Sequence, residues 1–287
     1  MSDAPTFALI GGNGHIGKRH GKAIKEVGGR VVLVVDPNPV AGWLDSDWIE
    51  AKFIREQFTL LTTHNPLWPS DLDYVVVLTP NGVHAQHSIL ALRETNVICE
   101  KPLALKPRQL KRMAWAESQS GHTLSTILQL RHQSGAIAAK AACEGKTVEA
   151  AEITYYASRG HWYSQTWKGQ QNRSGGLIFN IGSHPVDIAT WIFGKPGRHW
   201  IESRTESSLD VVGEFGSTMV RIRLSTNERD VVRSLDIDGI GTFDLSESFT
   251  NLHAECYRDI LAGRGLGVSD VAESVGWCRA VADAVVM

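Results

Sequence analysis

Residues 7–17 read Phe7-Ala8-Leu9-Ile10-Gly11-Gly12-Asn13-Gly14-His15-Ile16-Gly17. An apolar run of strand length passes straight into a glycine pattern, GxGxxG at 12–17, and Ile16, His20, Ala23, Ile24 and Val27 then recur at helical spacing until Gly28-Gly29. Strand, glycine turn and helix in that order are what a pyrophosphate cradle requires. The glycines allow a tight turn and close backbone approach, and the amides and dipole at the helix start meet the negative charge. A GxGxxG alone is weak, and a plain glycine-rich turn would share it; the context decides. Val31–Val35 is a β-branched run ending at Asp36, about 20 residues past the glycines, as the motif asks. Asp36 is placed to accept hydrogen bonds from the adenosine ribose and to repel a 2'-phosphate, which favours NAD over NADP. It could also cap the turn before Pro37.

Working outward, further buried strands are predicted at Tyr74–Leu78 and Val97–Cys99, with helices at Val83–Arg93 and Pro107–Gln119. Strands alternating with helices predict an α/β, doubly wound parallel sheet. The stretch Asp45–Pro69 shows no clear period. Beyond about residue 145 strands follow one another, at 150–158, 200–206, 209–215, 218–225, 231–237 and 241–245, with Asp238-Gly239 as a hairpin turn. That change predicts a C-terminal α+β domain with a large, mostly antiparallel sheet. The expected division is a dinucleotide-binding domain at 1–121 and a substrate-binding and oligomerisation domain at 122–287. Asp270-x-x-Glu273 reads as the cap of a final helix with Val271, Val275, Cys278 and Val281 inward.

Composition narrows the classes. Lysine and arginine number 29 against 31 aspartate and glutamate, a net charge of -2, too little positive field for nucleic acid or an anionic membrane surface. No basic-then-apolar leader and no long apolar span is visible, so a soluble cytoplasmic protein is expected. Cys99, Cys143, Cys256 and Cys278 form no CxxC pair; buried reduced thiols are expected, and no metal site.

Ligands of open parallel sheets bind beyond the carboxyl ends of the strands. The cofactor residues expected there are Gly12, Asn13, Gly14, His15, Ile16, Gly17, Asp36, Thr79, Asn81, His84, Glu100 and Lys101. A lysine at a buried strand end, near a cationic nicotinamide, can be unprotonated and accept a proton; a surface lysine paired with Glu100 is the plainer alternative. His253 and Tyr257 share a helix face and read as packing.

Four motifs in order, GNGHIG at 12–17, TPNGVH at 79–84, EKP at 100–102 and SGGLIFNIGSHPVD at 174–187, make the chain resemble the glucose-fructose oxidoreductase, inositol dehydrogenase and rhizopine-catabolism (Gfo/Idh/MocA) family of NAD(P)-dependent dehydrogenases. The resemblance implies a Rossmann domain, and roles beside the oxidised carbinol for Lys101 and His184, with Asp187 at the family's last acidic position. Many members carry Asp where this chain has Asn180. A neutral amide stabilises an imidazolium poorly, which favours Lys101 over His184 as general base. Asn180 and His184 are then expected to hold the hydroxyl oxygen.

Within the family the chain is similar to the UDP-N-acetylglucosaminuronate 3-dehydrogenases, through LQLRHQ at 128–133 and SRGHWYSQTWKG at 158–169. This implies a nucleotide-sugar substrate, oxidation at the sugar C3 hydroxyl, and a place in lipopolysaccharide O-antigen biosynthesis. Arg159, Tyr163, Trp167 and Lys168, with His161, Trp162 and Arg173 nearby, supply cations for diphosphate and carboxylate and aromatic faces for uracil or sugar. The same composition would suit a subunit interface. A free sugar or polyol dehydrogenase, or a silent NAD-binding sensor, are the other classes. A homo-oligomer, dimer or tetramer, through the C-terminal sheet is expected.

Overall fold

The computed structural model describes residues 4–14, 16–38, 51–54, 69–160, 162–227, 231–246 and 251–284. His15 and His161 lie outside them. The chain forms two compact units, one of residues 1–103, 108–127 and 251–269, the other of 104–107, 128–250 and 270–287. The expected cut at residue 121 is therefore misplaced. The strand Leu124–Thr126 lies beyond that cut yet hydrogen bonds into the first sheet, and residues 251–269 return to the first unit.

In the first unit β1 (Thr6–Ile10) leads to α1 (Gly17–Glu26), β2 (Arg30–Val35) and β3 (Lys52–Ile54), then β4 (Tyr74–Val77), α2 (His84–Ala91), β5 (Asn96–Cys99), α3 (Pro107–Ser120) and β6 (Leu124–Thr126). β3 falls in the stretch without a readable period. The six strands are parallel in the order β3-β2-β1-β4-β5-β6. Chain connections run outward in opposite directions from β1 and β4, which leaves a crevice at their carboxyl ends. β1 is buried at every position because it is central and covered on both faces. Phe7 stacks on Tyr74 at 5.2 Å and meets Tyr257 edge-on at 5.7 Å, joining the sheet to the returning segment.

The second unit begins with α4 (Ser134–Cys143) and β7 (Ala150–Tyr156). Short helices α5 (Trp162–Gln165), α6 (Gln171–Ser174) and α7 (Leu177–Asn180) precede α8 (Ser183–Phe193). β8 (Pro196–Arg204), β9 (Ser208–Phe215), β10 (Thr218–Ser225), β11 (Arg233–Ile237) and β12 (Gly241–Asp244) complete its sheet. α9 (Leu252–Leu261) belongs to the first unit, and α10 (Val268–Asp283) follows it. The sheet order is β12-β11-β7-β10-β9-β8, antiparallel except where β7 and β10 run parallel at its centre. Strict alternation of burial along β9 marks one covered and one open face. α10 starts at Val268, so Asp270 sits in its first turn and favours the helix dipole instead of capping it. Cys99, Cys256 and Cys278 are buried free thiols; Cys143 is half-buried, contrary to expectation. Among the described residues no helix is long and apolar enough to cross a membrane.

Candidate active site

The glycine loop is built by close contact. A Cβ on Gly17 would stand 1.8 Å from the Gly12 carbonyl oxygen, so the first turn of α1 lies against the backbone leaving β1. The loop is closed by the Gly14 amide donating to Gly11 O at 3.2 Å and the Gly17 amide to Gly14 O at 3.0 Å. Asp36, buried at the end of β2, ties the loop to its own turn. One carboxylate oxygen accepts the Asn13 amide at 3.1 Å, and the other accepts the Asn38 amide and side chain at 2.9 and 3.0 Å. The turn-capping role left open by the sequence is thus present, on the carboxylate that the motif assigns to ribose.

At the end of β4, Thr79 Oγ1 lies 2.9 Å from His87 Nδ1, and Asn81 opens a buried turn. Burial, with His84 nearby, pushes the His87 pKa down to about 4. His84 was expected at the cofactor, but both its ring nitrogens face backbone carbonyls. Nε2 is 2.6 Å from Thr79 O and Nδ1 2.8 Å from Pro102 O, so it braces the two strand ends. Glu100 likewise has partners within the protein. Its carboxylate lies 2.9 Å from His20 Nε2, while its other oxygen accepts the Lys101 amide at 3.0 Å. Lys101 itself is half-buried directly beyond β5.

In the second unit a cleft of about 790 Å³ is lined by Arg159, Tyr163, Lys168, Arg204, Ser207 and Asn227 among others. Three of the predicted substrate residues therefore meet in one place, although Arg159 and Lys168 are nine positions apart. Gly175, at φ +83°, makes the bend that a side chain would block, since a Cβ would sit 2.7 Å from both Leu105 and Phe179. Asn180, at the end of α7, donates from Nδ2 to the Tyr163 hydroxyl at 2.8 Å. Burial raises the Tyr163 pKa, so the hydroxyl is neutral. Trp167 does not line the cleft; the Lys168 ammonium stands 5.8 Å from its ring. His184, in the first turn of α8, is buried with its ring 5.9 Å from that of Tyr155.

Asp187 does not serve as a free acid. Arg131 grips it with two bonds, Nε at 3.0 Å and Nη2 at 2.7 Å. Burial raises the Asp187 pKa and the guanidinium opposes it. Arg131 lies within LQLRHQ, where no local pattern marks its role, because its partner is 56 positions away.

A cradle that only glycine fits, at the switch point of a parallel sheet, with an acidic residue ending β2 and a lysine ending β5, is that of an NAD-dependent dehydrogenase. Residues 6–128 match the oxidoreductase family, NAD-binding Rossmann fold, and residues 145–226 match the GFO/IDH/MocA C-terminal domain. The chain belongs to the Gfo/Idh/MocA oxidoreductase family. It is similar to the WlbA (WbpB) dehydrogenase of Thermus thermophilus solved with NAD and alpha-ketoglutarate, at 33% identity and TM-score 0.90, covering 99% of this chain and 96% of that one. The same dehydrogenase solved with NAD and UDP-GlcNAcA matches at 32% identity with equal TM-score and coverage. A curated relative, scyllo-inositol 2-dehydrogenase (NADP(+)) IolW of Bacillus subtilis, is 23% identical over 44% of this chain and 36% of its own length. The chain spans little more than a third of the curated relatives first matched, 39%, 36% and 35% of their lengths.

Proposed function

We propose that the protein oxidises the C3 hydroxyl of a UDP-linked N-acetylated hexuronic acid to the 3-keto sugar, in the cytoplasm, for surface-polysaccharide (lipopolysaccharide O-antigen) synthesis. The observation that carries this is the cleft bringing Arg159, Lys168 and Tyr163 together, supported by likeness to a dehydrogenase solved with UDP-GlcNAcA. Two cations suit a substrate with a diphosphate and a carboxylate, and an inositol offers neither group. Bound NAD supplies the acceptor for the carbon-bound hydrogen and its electron pair. The Gly12–Gly17 loop, with Asn13 and Ile16, and Thr79 and Asn81 form its cradle, and Asp36 disfavours a 2'-phosphate. Lys101, unprotonated, takes the hydroxyl proton. Asn180 and His184 hydrogen bond the sugar oxygen, and Arg159 and Lys168 hold the anionic groups.

Purified protein with NAD and UDP-N-acetylglucosaminuronic acid is expected to give NADH absorbance, or turnover once 2-oxoglutarate is added as a second substrate. The latter is included because a similar structure holds alpha-ketoglutarate. Arg159→Ala and Lys168→Ala should each raise the sugar-nucleotide KM about 10-fold or more, the worth of a charge-assisted hydrogen bond, with the NAD KM unchanged. Turnover of a free polyol and none of the sugar nucleotide would sink the assignment; NAD binding without turnover of either would indicate a sensor.

A homo-oligomer through the open sheet face belongs to the same proposal. Trp200 and Met219 are 44% and 38% exposed, and their register partners Val212 and Glu214 place them on one face. Light scattering should give a dimer or tetramer mass, and Trp200→Glu with Met219→Glu should reduce it to one chain; a wild-type monomer refutes the interface.

A further inference from the structure

Three side chains of the first unit, those of Tyr257, His20 and Glu100, form a buried hydrogen-bonded chain that ends on the Lys101 backbone, with His253 packed beside it. The Tyr257 hydroxyl lies 2.8 Å from His20 Nδ1, and His20 Nε2 lies 2.9 Å from Glu100 Oε1. Glu100 Oε2 accepts the Lys101 backbone N–H at 3.0 Å. His253 Nε2 faces Glu100 Oε1 at 3.5 Å, with its ring edge-on to His20 at 5.0 Å between centroids. His20 and Tyr257 are 0% exposed, His253 3% and Glu100 7%. α1 brings in His20 and α9 brings in His253 and Tyr257, which is why a segment so late in the chain returns to the first unit.

The partners fix the protons. An ionised carboxylate only accepts, so His20 Nε2 carries the hydrogen; Nδ1 is then bare and accepts from the Tyr257 hydroxyl. Burial lowers the His20 pKa, in keeping with a neutral ring. Burial opposes charge on Glu100, but the hydrogen bond from His20, with His253 close beside it, prevails and holds its carboxyl well below the usual range. His84 and Cys99 also face this carboxylate, Arg19 lies near His20, and Lys101 follows Glu100 in the chain. Ligand-type atoms of His20, Glu100 and His253 lie within 4.8 Å of one another, but the hydrogen bond between Nε2 and Oε1 already occupies two of them. The negative charge of the cluster sits on the Glu100 carboxylate.

We propose that His20, Glu100, His253 and Tyr257 are positioning residues for Lys101, which clamp its backbone and keep the Glu100 carboxylate a residue away to favour the ammonium formed when Lys101 takes the substrate proton. This rests on the reading of Lys101 as proton acceptor. A neighbouring anion raises a lysine pKa, so removing it lowers that pKa. Glu100→Gln keeps the shape and removes the charge. The Lys101 pKa, read without turnover by competitive labelling of the amine against pH, should fall by about half a unit or more, and the acid limb of kcat/KM should move down with it. Tyr257→Phe removes the donor to His20 Nδ1, makes that ring easier to protonate, and should shift both readings in the same direction by less.

Each variant is first checked for NAD binding by titration. A folded Glu100→Gln protein whose Lys101 pKa stays in place overturns the proposal; if that variant does not fold, Tyr257→Phe with no shift does so. An active Lys101→Ala enzyme defeats the proton-acceptor reading instead, and the labelling experiment tells the two failures apart.

Discussion

Lys101→Ala is expected to lower kcat by about two to four orders of magnitude, the usual contribution of a positioned general base, while NAD affinity is kept. The argument starts from placement. The backbone of Lys101 is held by Glu100 on one side, and the carbonyl of the next residue, Pro102, by His84 on the other. The side chain thus leaves a braced strand end. In the second unit, by contrast, the acid nearest in sequence to His184 is Asp187, and its carboxylate is committed to Arg131. The acid that the resemblance places beside His184 is thus already engaged, and the proposed proton acceptor is Lys101. Lys101→Arg should be as inactive as the alanine variant, because a guanidinium does not give up its proton at working pH. Added primary amine should restore part of the activity of Lys101→Ala and none of that of Lys101→Arg. Full activity in Lys101→Ala would exclude the role.

Gly17→Ala is the second large effect. Its Cβ would meet Gly12 O at 1.8 Å, Gly12 C at 2.7 Å and Gly12 Cα at 3.1 Å, all backbone atoms that no side-chain rotation can clear. Either the turn opens or α1 slides away from β1, and both spoil the amide cradle for the pyrophosphate. NAD affinity should fall about 100-fold or more, with an overpacking loss of about 1–3 kcal/mol in stability. Gly14→Ala provides the control. Its Cβ would come to 3.3 Å from Gly11 O, a contact that a shift of a few tenths of an ångström relieves, so it should be clearly milder. Titration with NAD and denaturant unfolding of both variants check this; equal binding by Gly17→Ala and wild type would mean that the loop does not hold the cofactor.

The contrast between these two glycines shows where sequence reading succeeds. The spacing of Gly12, Gly14 and Gly17 after an apolar strand is a local pattern, and local patterns survive in a one-dimensional string. The β1-α1-β2 unit, the strands ending at Thr79 and Glu100, and the shift to successive strands beyond residue 145 were legible for that reason. Lys101 was marked by lying at a strand end. Arg159, Tyr163 and Lys168 were marked by composition, and the fold does bring them to one cleft, whereas Trp167 shares the composition and lies off it.

By itself, then, the sequence determined the dinucleotide-binding unit and the two sheets, because each depends on neighbours within one or two elements. Partnership was decided by tertiary structure. Arg131 engages Asp187 across 56 positions, and the central strands β7 and β10 pair in parallel across the elements between them. His253 and Tyr257 carry the helical spacing of a packing face, yet α9 folds back some 230 residues to complete a polar chain with His20 and Glu100. Periodicity reports that a side chain is buried, and a buried histidine looks the same in sequence whether it packs or hydrogen bonds. What it meets inside depends on which distant segment lowers the free energy by supplying a partner for a polar group removed from water. The glycine loop needed no such partner to be recognised.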